Sequence, residues 1–167
     1  GNNYYINGLN TFGGFIVSRE SLFNSVNIIN CKGQEYQNSA FAGAIYNTDG
    51  TAEITNSRFS GNFVDSHNLD FGVGGAVYNL NNGTMSINSS VFENNYASGA
   101  GSYGGAIANG YADTGVENMT IDNSIFENNH AYGTVISYGG AIYNRENIKI
   151  NNSIFTNNYT DITDGLF

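Results

Sequence analysis

The groups able to do chemistry are few and scattered. Arg19, Lys32, Arg58, Arg145 and Lys149 stand singly, against 14 carboxylates, two histidines and one cysteine. Cleavage of a polysaccharide needs an Asp pair for acid/base hydrolysis, or acidic calcium ligands with an Arg or Lys base for elimination. Only Lys149 and Asp122 suggest such a mixed face. Asp65, Asp70, Asp113 and Glu117 supply loop carboxylates, and Glu93 should stack on Glu127, but no Asp-x-Asp-x-Asp-Gly calcium loop is present. His67 and His130 lack a Cys partner for zinc, so no metal site is expected. Gly99-x-Gly101-x-x-Gly104 spells the dinucleotide fingerprint, but a strand follows it where phosphate binding needs a helix. Asp113-Thr114-Gly115 occurs once, leaving no second carboxylate for an aspartic protease. The expectation is no catalytic residue and no cofactor.

Composition narrows the partners. A net charge of −9 is the wrong sign for nucleic acid, which requires Lys and Arg to displace counterions. No apolar run approaches the roughly 18 residues of a membrane span. Cys31 is alone, so no intrachain disulfide can form. The 167 residues include 29 asparagines and no proline, and no window shows helical apolar spacing.

The elements that position these groups come from two phrases written four times. The first is Gly-Ala-Ile-Tyr-Asn, at Gly43–Asn47, Gly75–Asn79, Gly105–Asn109 and Gly140–Asn144, with Val77 and Ala108 as variants. The second is Ile-x-Asn-Ser-x-Phe-x-x-Asn, beginning at Ile54, Ile87, Ile121 and Ile150. Alanines 44, 76, 106 and 141 lie 32, 30 and 35 residues apart, a period proper to stacked repeats. Spacing inside the phrases is fixed and the stretches between them vary, so the reading is an all-β parallel β-helix of about five rungs over residues 13–163.

Strand alternation sorts each rung into faces. Inward positions read Ala52, Ile54, Asn56; Met85, Ile87, Ser89; Met119, Ile121, Asn123; and Ile148, Ile150, Asn152. In the first phrase Ile45, Val77, Ile107 and Ile142 point in. A third short strand should follow each of Phe59, Phe92, Phe126 and Phe155. Two asparagine columns, Asn47, Asn79, Asn109, Asn144 and Asn62, Asn95, Asn129, Asn158, are expected to hydrogen-bond along the stack as structural ladders. A degenerate copy precedes the four, with Gly13 aligned to Gly74, and with Ile28-Ile29-Asn30-Cys31 aligned to Ile121–Ser124. Residues 1–12 would close a preceding rung or cap it, and 164–167 would be a truncated end or a link to further sequence.

Two surface features are candidates for binding. Tyr46, Tyr78 and Tyr143 should form an exposed stripe able to stack on sugar rings or anchor a protein, unless they merely stack on one another for stability. A second set, Phe12, Phe41, Val73, Tyr103 and Tyr138, precedes the glycine pairs, and alternation points Tyr103 inward. The stretches 63–73, 96–103, 110–117 and 131–138 read as variable loops, where repeat proteins often carry recognition.

Gly74-Gly75-Ala76-Val77 with Phe92-Glu93-Asn94-Asn95, and Gly139-Gly140-Ala141-Ile142 with Phe155-Thr156-Asn157-Asn158, resemble the polymorphic outer-membrane protein repeat of autotransporter and other adhesin-like surface proteins. The resemblance covers roughly residues 39–160 and departs at Ala42, where a Gly is expected, and at Ala108. It implies a right-handed parallel β-helix displayed outside the cell and used for adhesion to a host or neighbouring-cell receptor or glycan. It transfers no catalytic residue. The expected role is a non-catalytic adhesin segment or stalk in a longer chain, without membrane insertion of its own. The competing class is a polysaccharide lyase or hydrolase, or its carbohydrate-binding fragment.

Overall fold

A computed structural model describes residues 4–11, 13–67, 70–111 and 115–162. Every regular element among them is a strand. The strands stack in parallel, rung upon rung, into a β-solenoid of about four turns.

Each turn passes through four sheets rather than three strands. One full turn runs Val77–Leu80, Thr84–Asn88, Val91–Glu93 and Tyr96–Tyr103. Sheets 1 and 2, built on the first two of these, have five strands each; sheet 3 has six and sheet 4 seven. The phenylalanine of the second phrase lies inside its own sheet 3 strand, and the next strand begins after the ladder asparagine. That strand forms sheet 4 from the stretches expected to be loops: Phe63–Asp65 and Phe71–Val73, Tyr96–Tyr103, and His130–Tyr138. A bulge between Gly99 and Gly101 absorbs the length difference against the following rung. At the amino-terminal end, sheet 4 closes with an antiparallel hairpin, Gln34–Tyr36 against Ser39–Phe41.

Register builds the core. Phe59, Phe92, Phe126 and Phe155 stack at 4.7, 5.0 and 4.8 Å with ring planes within 5° of parallel. Ile54, Ile87 and Ile121 are in register beside them and fully buried, as are Ile45, Val77 and Ile107. Burial of each such side chain contributes roughly 1.5–3 kcal/mol.

Corners are made by left-handed residues. Asn56, Ser89, Asn123 and Asn152 carry φ between 47° and 51° and are exposed, so they do not continue the inward face of sheet 2. A backbone in this region rotates the side chain out of the strand's alternation, and Asn tolerates it better than most residues. The next residue, Ser57, Ser90, Ser124 or Ser153, turns back in. Its Oγ accepts the backbone N–H of the preceding rung, with Ser57 N–Ser90 Oγ at 3.1 Å and Ser90 N–Ser124 Oγ at 3.2 Å. The serines thus form a third ladder beside the two asparagine columns.

The first strand of the degenerate copy aligns one residue away from its expected register, and its Ile28–Cys31 part five residues away. Phe15 pairs with Ile45 and Val17 with Asn47. A slip of one residue exchanges faces, so Val17 is buried and Ile16 is 71% exposed. Ile28 pairs with Phe59, which puts Cys31 level with Asn62 and not with a serine. Tyr4–Asn7 adds a sheet 3 strand on Val26–Ile29. Phe12, Asp113 and the 164–167 end fall outside the described residues.

Candidate functional site

The tyrosine stripe points outward but is not exposed. Tyr46, Tyr78, Ala108 and Tyr143 stand in register on the outer face of sheet 1. The distal end of sheet 4 folds over them, so Tyr78 is only 1% exposed, Ala108 is buried, and Tyr46 and Tyr143 are half-buried. The stripe and the second aromatic set therefore meet. Tyr46 stacks on Tyr78 at 5.3 Å, Phe41 on Tyr78 at 5.8 Å, and Tyr103 meets Tyr143 edge-on at 5.0 Å. Tyr103 is buried in this outer core rather than inside the solenoid, with Tyr111 and Tyr138 beside it. Burial pushes the Tyr46, Tyr78, Tyr103 and Tyr111 hydroxyls above the ordinary phenol value, so all four stay neutral. A sugar cannot reach Tyr78.

The outward aromatic column lies on sheet 4 instead: Phe63, Tyr96, His130 and Tyr159 in register. Each follows a ladder asparagine directly, so the second phrase extends to Asn-aromatic, a signal present in the sequence and missed. Phe63 stacks on Tyr96 at 4.9 Å, and His130 on Tyr159 at 4.0 Å. Tyr96 is 37% and Tyr159 53% exposed. These two stacked pairs stabilise the solenoid by cross-rung ring contact. His130 has a buried Nε2 with no partner among the described residues, and desolvation lowers its pKa against the opposing pull of Asp161.

The asparagine columns are bonded from rung to rung, and only Asn47 Oδ1, at the start of the first column, is buried without a partner among the described residues. Nδ2 of Asn47 donates to Oδ1 of Asn79 at 2.7 Å, Asn79 to Asn109 at 2.8 Å, and Asn109 to Asn144 at 2.8 Å. In the second column Asn62 donates to Asn95 at 3.1 Å, Asn95 to Asn129 at 2.9 Å, and Asn129 to Asn158 at 2.9 Å. There each Oδ1 also accepts the backbone N–H of the preceding rung. Cys31 donates its own N–H to Asn62 Oδ1 at 3.1 Å, and burial raises its thiol pKa. That keeps it a protonated packing residue, not a nucleophile.

The charged groups do not converge. Glu93 stands in register with Glu127, and its carboxylate pairs with Arg58 and accepts from Ser60 Oγ at 3.0 Å. Asp122 accepts from Asn151 Nδ2 at 2.7 Å. Glu117 is fully buried, with Oε1 3.4 Å from the Asn82 N–H and Oε2 without a hydrogen-bond partner. Among the described residues no three of His, Cys, Asp and Glu gather as metal ligands. Gly99 and Gly101 lie within a strand, and Gly104 forms the turn after it.

The glycine pair has a steric reason. The first, Gly74, Gly104 or Gly139, has φ between 66° and 72°. The second lies against the neighbouring rung, where a Cβ on Gly75 would stand 2.0 Å from the Gly105 carbonyl oxygen. Ala42 takes the first position at φ 43°.

A cavity of about 670 Å3 opens at the amino-terminal end between the 34–41 hairpin and the Phe15–Val17 strand. Comparison with curated proteins and with solved structures gives no significant match. Residues 123–145 match the Chlamydia polymorphic membrane protein repeat; this stretch runs from the corner Asn123 through one strand each of sheets 3, 4 and 1, three of the four sides of a turn.

Proposed function

We propose that this chain is a non-catalytic segment of a microbial surface adhesin, held outside the cell and presenting its solenoid to a receptor or glycan on another cell. The observation that carries the reading is the match of residues 123–145 to a polymorphic membrane protein repeat. The same residues recur at equivalent places on the other rungs. Three continuous ladders and two packed cores make a stiff rod, which suits a segment that must hold a contact surface away from its anchor. The acidic surface favours neutral or basic partners over nucleic acid.

The test is attachment. Beads coated with the chain are expected to adhere to host or neighbouring microbial cells in excess of beads coated with an unrelated β-solenoid. Equal adherence of both would remove the adhesive reading and leave a spacer. Release of reducing ends or unsaturated sugars from a panel of polysaccharides would instead support an enzyme.

A further inference from the structure

We propose that the amino-terminal cavity is a binding site for a short neutral oligosaccharide. In later rungs the space between the outer face of sheet 1 and the distal end of sheet 4 is filled by aromatic rings. At the first rung Ile16 takes the place of the tyrosine, and the antiparallel hairpin replaces the parallel strand. The outer core therefore ends in an open groove of about 670 Å3, within the usual range for ligand sites.

Its chemistry is mixed. Phe41 and Tyr46, near-parallel at 17° with centroids 6.5 Å apart, are the last rings of the pile. Among the described residues no further ring stacks on their amino-terminal side, where Ile16 stands in register with Tyr46, and both rings line the groove together with Phe15. Tyr36, 66% exposed, adds a ring on the rim. Beside these stand Lys32, Gln34 and Glu35. Glu35 Oε1 is held 3.3 Å from Lys32 Nζ and 3.3 Å from His67 Nδ1. A carboxylate braced in this way can accept vicinal hydroxyls, while Lys32 and Gln34 donate to ring or acetamido oxygens. Aromatic rings next to hydrogen-bonding side chains match the two sides of a sugar, an apolar C–H face and a hydroxyl edge. The net charge of −9 disfavours a polyanionic glycan. An apolar peptide would have to bury Lys32 and Glu35 without exchange for their water.

The proposal rests on the adhesive reading only for the source of the sugar, and the experiment separates the two. Binding of the whole chain to an array of neutral and acidic oligosaccharides is measured, followed by titration of the best ligand by NMR. Neutral sugars are expected to bind and to shift the amides of Gly13, Gly14 and Gly33. Tyr36→Ala and Glu35→Gln, both at exposed positions, should each weaken binding at least tenfold with the melting temperature unchanged. Binding by no neutral sugar, preference for acidic ones, or affinity untouched by both variants would overturn the site. Cell attachment by the same variants is scored in parallel. Attachment that survives both substitutions sinks the groove and spares the adhesin. Sugar binding without any cell attachment does the reverse.

Discussion

Asn94 and Asn95 are neighbours of identical type with opposite reasons to exist, and substituting each in turn separates those reasons. Asn95 is fully buried. Its Oδ1 accepts from Asn62 N at 3.0 Å and Asn62 Nδ2 at 3.1 Å. Its Nδ2 donates to the Phe59 carbonyl at 3.1 Å and to Asn129 Oδ1 at 2.9 Å. Truncation in Asn95→Ala strands the Asn62 N–H inside the protein and removes the side-chain bond to the Phe59 C=O, which itself lies in a strand paired on both sides. The Asn62 amide keeps its bond to Ile28 O, and Asn129 Oδ1 keeps the Asn95 N–H. One orphaned backbone N–H gives an expected loss of about 1–3 kcal/mol. Asn94 is exposed at φ 53°, and Gly61 holds the equivalent corner one rung earlier at φ 61°. Asn94→Gly should therefore change stability by about 1 kcal/mol or less, while Asn94→Ala should cost about 1–2 kcal/mol. Urea unfolding followed by circular dichroism gives the midpoint and slope for all three. A lower slope in Asn95→Ala would mean that the rungs on either side have begun to unfold separately. The ladder argument fails if Asn95→Ala loses less than about 1 kcal/mol, or if Asn94→Gly loses as much.

Ala42→Gly should stabilise the chain, because relief of a left-handed Cβ, about 1–2 kcal/mol, exceeds the ~0.8 kcal/mol from one buried methyl; the urea midpoint reads it. Tyr78→Ala should cost about 3–5 kcal/mol as an outer-core deletion, and the partly exposed Tyr96→Ala clearly less, which thermal melts will rank. Cys31→Asn places an amide beside Asn62 Oδ1 and should gain about 1 kcal/mol, seen as a higher melting temperature. His130 takes up a proton more readily unfolded, at about 6.5, than folded. Its contribution to stability is thus complete above that value and is lost as pH falls through it, levelling below the folded pKa. His130→Phe should flatten that part of the melting profile relative to the parent chain.

What the sequence made legible was whatever repeats with fixed spacing. Ile54, Ile87 and Ile121, the phenylalanine column and both asparagine columns could be placed because strand alternation has only two outcomes and four copies agree. The first copy could not be placed that way. Phe15-Ile16-Val17 is apolar at three successive positions, so alternation does not choose a face, and only pairing with Ile45–Asn47 decides it. Sheet 4 was hidden for another reason. Tyr96–Tyr103 and His130–Tyr138 are rich in Gly, Ser and Tyr, differ in length, and become strands through neighbours on both sides rather than through their own propensity. That omission propagated to the binding surface. Tyr46, Tyr78 and Tyr143 do face away from the main core, but what covers them is the non-periodic end of sheet 4.

The ladders also have a direction, and it explains why the first copy looks degenerate. In the second asparagine column and the serine column, a rung's side chain accepts the backbone N–H of the rung before it. In the first asparagine column, Nδ2 donates to the following rung. The first rung places Val17, Val26 and Cys31 at all three positions. Val26 and Cys31 still donate their N–H groups to Ser57 Oγ and Asn62 Oδ1, which needs no polar side chain of their own. Val17 supplies no amide, and Asn47 Oδ1 is accordingly buried without a partner. The regular stack therefore starts at the second rung, where the hairpin also closes sheet 4 and the outer tyrosines stop. One boundary thus accounts for both irregularities of the first copy: it lacks the three ladder side chains, and on the outer face of sheet 1 it sets Ile16 against Tyr46 where later rungs set tyrosine or alanine.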